Sequence, residues 1–267
     1  MREVALLIPV YNNQDGLRRS LAALSDEYPL DIIVVDDGSD CPVSLDAEAA
    51  PHRYHLLRLE KNRGIEHALN LGLRWILDRN YQYVARLDAE DISLPGRFLH
   101  QRHFLKMHPD FAMVGGQVRF VDRDGREVFQ ERFPTTSEEI RRVMHARNCF
   151  IHPAVMLRIQ ALRDVGLYSD RFPAAEDYEL FFRIAKKYKV ANLADYVVSV
   201  VLNPGGISRR RRRRQIATRM KVMFAYFDLS DAASYFGILK NLALLIAPIG
   251  VVQAVKRILG ERWRGWL

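Results

Sequence analysis

The run Ile32-Ile33-Val34-Val35-Asp36-Asp37-Gly38-Ser39 changes character at its midpoint. Its first half is wholly apolar and β-branched, which suits a strand buried on both faces, as in a parallel sheet. Its second half is the acidic, glycine-containing punctuation that stops such a strand. Taken alone, the acidic pair is no stronger than a turn signal.

The same grammar recurs on either side. Residues 4–8 read as a strand ending at Pro9, after which Asn12 or Asn13 caps a helix with Leu17, Leu21 and Leu24 at helical spacing. Residues 54–59 read as a third strand, followed by Asn62-Arg63-Gly64 and a helix to about residue 77. Residues 81–87 read as a fourth and run into Asp88-Ala89-Glu90-Asp91. Strands alternating with helices predict an α/β fold with a parallel sheet. Three of the strands end in polar clusters, and open α/β sheets bind ligands at the carboxyl ends of their strands. One site assembled from several loops is therefore expected. Farther on, helices are expected at 96–107, from 137, and at 176–187. Strands are expected at 112–121, 127–133, 153–158 and 191–202, building an acceptor-binding subregion onto the first half.

A chain of 267 residues buries a substantial core. Its two cysteines, Cys41 and Cys149, lack CxxC spacing, so neither a disulfide framework nor a zinc site is expected, and a reducing cytoplasm is the simplest compartment. No signal peptide is expected ahead of the first strand. The net charge of +8 comes mainly from six consecutive arginines at 209–214. Such a run is a solvated segment, or it meets an anionic lipid surface. No aromatics interleave it for base stacking, so nucleic acid is not the expected partner. After it, residues 216–227 are helical and residues 235–259 strongly apolar, with 242–252 uncharged. That core is too short to span a bilayer and is broken by Pro248 and Gly250. Lys240, Lys256, Arg257, Arg262, Arg264, Trp263 and Trp266 flank it as in an interfacial anchor. The alternative is a helical hairpin packed on the domain or in a homodimer interface.

Asp88, Glu90 and Asp91 place three carboxylates within four positions, and like charges so close repel unless a cation neutralises them. A hard divalent ion, Mg²⁺ or Mn²⁺, completed by substrate phosphates answers that need; a solvated acidic turn is the plain alternative. Glu176-Asp177 opens a helix, where carboxylates suit the dipole. Neither GxGxxG nor GxxxxGK[ST] occurs, which argues against a dinucleotide oxidoreductase and a P-loop NTPase.

Leu6-Leu7-Ile8-Pro9-Val10-Tyr11-Asn12, Ile33-Val34-Val35-Asp36-Asp37-Gly38-Ser39, Asn62-Arg63-Gly64 with Asn70, Arg86-Leu87-Asp88-Ala89-Glu90-Asp91 and Glu176-Asp177-Tyr178-Glu179-Leu180 together resemble the family 2 glycosyltransferases of GT-A fold, over about residues 3–208. The resemblance implies a mixed, Rossmann-like central sheet flanked by helices, and inverting transfer of a sugar from a nucleotide diphosphate, a UDP-sugar above all. It implies that Pro9 and Tyr11 cradle the nucleobase and Asp37 hydrogen-bonds it. Asp88 and Glu90 fall on the Asp-x-Asp motif for ribose and metal, with Asp91 next to them. Asp177 falls on the catalytic base, expected to be ionised with an ordinary pKa of about 3.9. Asn148, His152 and Glu176 fall on the acceptor side. Two departures stand out: Glu90 replaces the usual second Asp, and Asn203 stands where many relatives have a histidine before the loop at Gly205-Gly206-Ile207-Ser208.

A catalytic domain at 1–208 and a membrane-associated extension at 209–267 follow. The expected site of action is the inner face of the cell membrane, on a lipid-linked glycan acceptor in envelope polysaccharide synthesis. A noncatalytic nucleotide-sugar-binding scaffold is the alternative of another class. A sugar nucleotidyltransferase would need a glycine-rich basic loop after strand one, and Tyr11-Asn12-Asn13-Gln14-Asp15 is not one.

Overall fold

The computed structural model describes residues 2–24, 28–45, 51–202, 212–247 and 250. Asn203, Gly205-Gly206-Ile207-Ser208, the first half of the arginine run, Pro248 and the tail with Lys256, Arg257, Arg262, Trp263, Arg264 and Trp266 lie outside the described residues.

Four strands form the parallel half: β1 (Val4–Val10), β2 (Asp31–Asp36), β3 (Arg53–Arg58) and β4 (Tyr83–Arg86), in spatial order β3-β2-β1-β4. β1 pairs in parallel with β2 on one side and β4 on the other, so the winding reverses at β1. The sheet continues through the antiparallel β8 (Met156–Arg158) to β6 (Phe111–Val121), β9 (Lys189–Val201) and the two-residue β5 (Ile92–Ser93), with β7 (Glu127–Glu131) paired to β6. The expected strand at 153–158 is shorter than read, because Pro153 sits in a 3₁₀ turn, His152–Ala154, that precedes β8.

All seven residues of β1 are buried, and its side chains alternate between two layers. Ala5 and Leu7 join Ile33 and Val35 against α2 (Ile65–Leu77) and α6 (Glu176–Lys187); Leu6 and Ile8 join Ile32 and Val34 against α1 (Gln14–Ala22) and α3 (Arg97–Met107). A two-faced strand needs helices on both sides, which is why the central runs are apolar without alternation. α1 begins where Asn13 Oδ1 accepts the Gly16 amide at 3.1 Å, as its capping chemistry predicts. α4 (Ser137–Met144) and α5 (Ile159–Val165) complete the layers.

The chain closes with α7 (Arg212–Ala225) and α8 (Ala232–Ile246). Val222 and Met223 enter the core beside α6, Tyr226 stacks on Phe182 with centroids 4.7 Å apart, and the Tyr226 hydroxyl donates to Glu179 at 2.8 Å. Gly237 lets α8 approach closely: a Cβ there would lie 2.1 Å from the His145 carbonyl oxygen. The outer face of α8 carries Tyr235, Leu239, Leu242 and Ile246 at helical spacing, all exposed. No helix among the described residues is long and apolar enough to cross a membrane.

Candidate active site

The carboxyl ends of β1, β2 and β4 and the start of α6 enclose a cleft of about 890 Å³. Pro9, Tyr11, Asp37, Asp88, His152, Glu176 and Asp177 all line it, although they come from segments far apart in the chain. Three non-glycine residues with positive φ, Asn12 (49°), Glu90 (101°) and Ala174 (66°), sit directly beside lining residues. Such backbone costs energy and gathers where a site must be shaped.

At the β2 end, Asp36 and Asp37 divide the labour. Asp36 is structural: it accepts from the Ser39 amide at 2.9 Å and from Arg58 at 2.7 Å. Asp37 faces the cleft and is held by the Arg63 amide at 2.9 Å and the Gly64 amide at 3.1 Å. Burial raises its pKa against those two bonds. Each carboxylate oxygen still has a free lone pair for a ligand. Gly38 makes the approach feasible: its φ is +68°, and a Cβ would fall 2.3 Å from the Lys61 carbonyl carbon. Tyr11 is nearly half exposed and lines the cleft.

In the acidic loop after β4 the three carboxylates turn to different partners. Among the described residues, no three His, Cys, Asp or Glu side chains converge to hold an ion. Asp88 turns into the cleft, with Oδ1 taking the Arg86 guanidinium at 2.5 Å. Burial opposes its ionisation, but the Arg86 charge prevails and its carboxyl stays below the ordinary value. Glu90 instead pairs with Arg19 of α1 at 3.0 Å. Asp91 is buried and accepts from the Val201 amide at 2.9 Å, tying the loop to the end of β9. Burial, then the Asp88 charge, pushes Asp91 well above the carboxylate range. Ser20 clasps the loop from α1, donating to the Asp91 carbonyl at 2.7 Å and accepting from the Glu90 amide at 2.9 Å. Asp88 alone still fits a divalent ion of the Mg²⁺ or Mn²⁺ type, which takes one or two carboxylates and completes its shell with water and substrate phosphates.

At the start of α6, Asn148 Nδ2 donates to Asp177 Oδ2 at 3.1 Å, while its own Oδ1 accepts from the Phe150 amide at 3.1 Å. Asn148 thus fixes Asp177 rather than standing free on the acceptor side. The expected ordinary pKa of Asp177 is also corrected: burial raises it, against the Tyr178 amide and the Arg219 charge on α7. Beside it, burial and the Asp177 charge push buried Glu176 up to about 7, and its Oε2 finds no hydrogen-bond partner among the described residues. Arg214 and Gln215 of α7 reach the same cleft.

His152 lies deeper than an acceptor-side residue would. Its Nε2 meets the Tyr168 hydroxyl at 2.7 Å and the Arg86 Nε at 3.3 Å. Arg86, 1% exposed, spends its remaining donors on the Leu7 and Leu87 carbonyls and on Asp88. Asn70 clamps the Tyr168 backbone through both its amide and its carbonyl, at 3.0 and 2.8 Å.

The sequence model described as "Glycosyl transferase family 2" matches residues 5–166, more than half of the chain. The protein belongs to glycosyl transferase family 2. It is 30% identical to the amylovoran biosynthesis glycosyltransferase AmsE of Erwinia amylovora, over 93% of this chain and 96% of that protein. Its fold is that of Staphylococcus aureus TarS 1-349 in complex with UDP-GlcNAc, with a TM-score of 0.70 at 17% identity over 96% of this chain and 76% of the other. It is likewise similar to the mannosyltransferase PcManGT of Pyrobaculum calidifontis in complex with GDP-Man and Mn²⁺, with a TM-score of 0.63 at 17% identity over 100% and 83% of the two chains. This glycosyltransferase therefore has the GT-A fold, and its cleft lies at the reversal of strand order around β1.

Several residues of this family 2 site carried no signal in the chain. Arg19 and Ser20 occupy an ordinary amphipathic helix, Tyr168 an irregular loop, and Glu66 the first turn of α2 on the cleft wall. Only their position in space marks them.

Proposed function

We propose that this glycosyltransferase moves a sugar from a nucleotide diphosphate, a UDP-sugar in the first instance, onto a hydroxyl of a lipid-linked glycan in polysaccharide synthesis, with inversion. The observation that supports it is the shared cleft of Asp37, Asp88 and Asp177. Tyr11 and Pro9 flank the base, Asp37 accepts from it, and Asp88 is the residue that would hold a divalent ion, Mn²⁺ or Mg²⁺, at the diphosphate end. When bound, that ion supplies Lewis acidity toward the departing diphosphate. Asp177, oriented by Asn148, takes the proton of the attacking hydroxyl. Glu176 stands beside the incoming acceptor.

Residues 1–208 form the catalytic unit in this reading, and residues 209–267 seat it on the inner face of the cell membrane. The exposed Leu239 and Ile246 of α8 and the adjacent arginine run suit an anionic lipid surface. The name of the Erwinia relative, an amylovoran biosynthesis glycosyltransferase, supports a role in polysaccharide synthesis.

Asp177→Asn is expected to lower transfer by about 10²- to 10⁴-fold, the usual range for a lost general base, while thermal shift with UDP and Mn²⁺ is unchanged. A variant that keeps full turnover refutes the assignment.

A further inference from the structure

The pair of contacts on His152 carries more than a location. The Nε–H of Arg86 is a donor and nothing else. At 3.3 Å from His152 Nε2 it requires a lone pair on that nitrogen, and the Tyr168 hydroxyl at 2.7 Å must then donate as well. With Nε2 bare, the ring proton resides on Nδ1. Among the described residues nothing bonds to Nδ1, and the ring stands on the cleft wall.

The surroundings say what Nδ1 meets. On one side Arg86 links the imidazole to Asp88, the diphosphate end. On the other, Tyr168 lies within reach of the charges of Asp177 and Glu176, the acceptor end. A group reacting at its anomeric carbon must span the gap between leaving diphosphate and base. We propose that His152, locked as the Nδ1–H tautomer by Arg86 and Tyr168, donates to a hydroxyl of the transferred sugar and so determines which sugar the cleft accepts. Burial and the adjacent Arg86 charge hold its pKa down to about 3, so the ring stays a neutral donor. A fixed neutral donor reads a hydroxyl rather than a phosphate charge, and a site built to hydrogen-bond a hydroxyl rejects ligands that misplace it.

This inference rests on the donor-site reading above. The full chain, labelled with ¹⁵N-histidine, is titrated at pH 7 with Mg²⁺ and UDP, UDP-glucose, UDP-galactose, UDP-GlcNAc or GDP-mannose. The ligand-free spectrum should show His152 protonated at Nδ1 alone, and Nδ1 should shift with one nucleotide sugar but not with UDP. His152→Phe should keep UDP binding while its preference among the sugars collapses to within about threefold. Should that variant not fold, Tyr168→Phe serves: Arg86 should keep the Nδ1–H tautomer, while the ring, held by one donor instead of two, should lose most of the same preference. An Nε2-protonated ring, or either variant retaining the wild-type preference, overturns the proposal. UDP binding with no Nδ1 response to any sugar overturns it alone, whereas a wild-type chain that binds no nucleotide overturns the donor-site reading with it.

Discussion

Asp177 works in company, and its neighbours set how it works. Removing the Asn148 amide leaves the base free to rotate; Asn148→Ala should cut kcat by about 10- to 100-fold with little change in donor KM, in keeping with the cost of misplacing a reacting group. Because burial raises Asp177, the acid limb of the activity profile should lie above the ordinary carboxylate range, with turnover lost as pH falls through that raised value. Glu176 gives a stability test with a defined sign. Its folded pKa of about 7 exceeds the unfolded value of 4.5, so the folded chain holds more protons between those limits and stability falls as pH rises across them. Glu176→Gln removes that penalty: it should match wild type at pH 4, below the unfolded pKa, and gain up to about 3 kcal/mol at pH 8, read by urea denaturation. An equal gain at both pH values would mean that packing, not charge, is responsible.

Elements turn these residues toward one another, and their contacts explain what the chain did and did not disclose. The inner strands β1, β2 and β4 were legible because Ile32-Ile33-Val34-Val35 and its counterparts must be apolar on both faces, and the loops after them because sheets of this kind bind ligands there. The acidic run Asp88-Ala89-Glu90-Asp91 did not disclose where its carboxylates turn, because adjacency in the chain is not convergence in space. Glu90 and Asp91 leave Asp88 for partners on α1 and β9, 71 and 110 residues away, and no local pattern announces them. The clasp on that loop is testable: Ser20→Ala strips the Glu90 amide and the Asp91 carbonyl of a buried partner, for a loss of about 1–3 kcal/mol. The apparent affinity for Mn²⁺ should weaken with it, measured by activity against metal concentration. Gly237→Leu tests the hairpin in the same way, since α8 cannot keep its seat with a side chain driven into the His145 carbonyl; lowered Tm and faster proteolysis within α7 and α8 are expected.

For the molecule as a whole, the closing helices belong to the catalytic body as much as to any surface it visits. Deleting residues 212–267 removes Val222 and Met223 from the core, each worth about 1.5–3 kcal/mol when fully buried, so a truncated chain should lose stability along with membrane contact. The cleaner test spares the core: Leu239→Ser with Ile246→Ser should leave Tm intact and abolish co-sedimentation with anionic vesicles, and unchanged sedimentation would remove lipid as the partner of that face. α6 is a single twelve-residue rod that carries Asp177 at its tip and Glu179, the anchor for Tyr226, two residues farther on. Any loosening at that anchor is therefore delivered as a tilt of Asp177, where an ångström of displacement is worth about a hundredfold in rate. On this geometry, turnover should track how firmly the last two helices are braced.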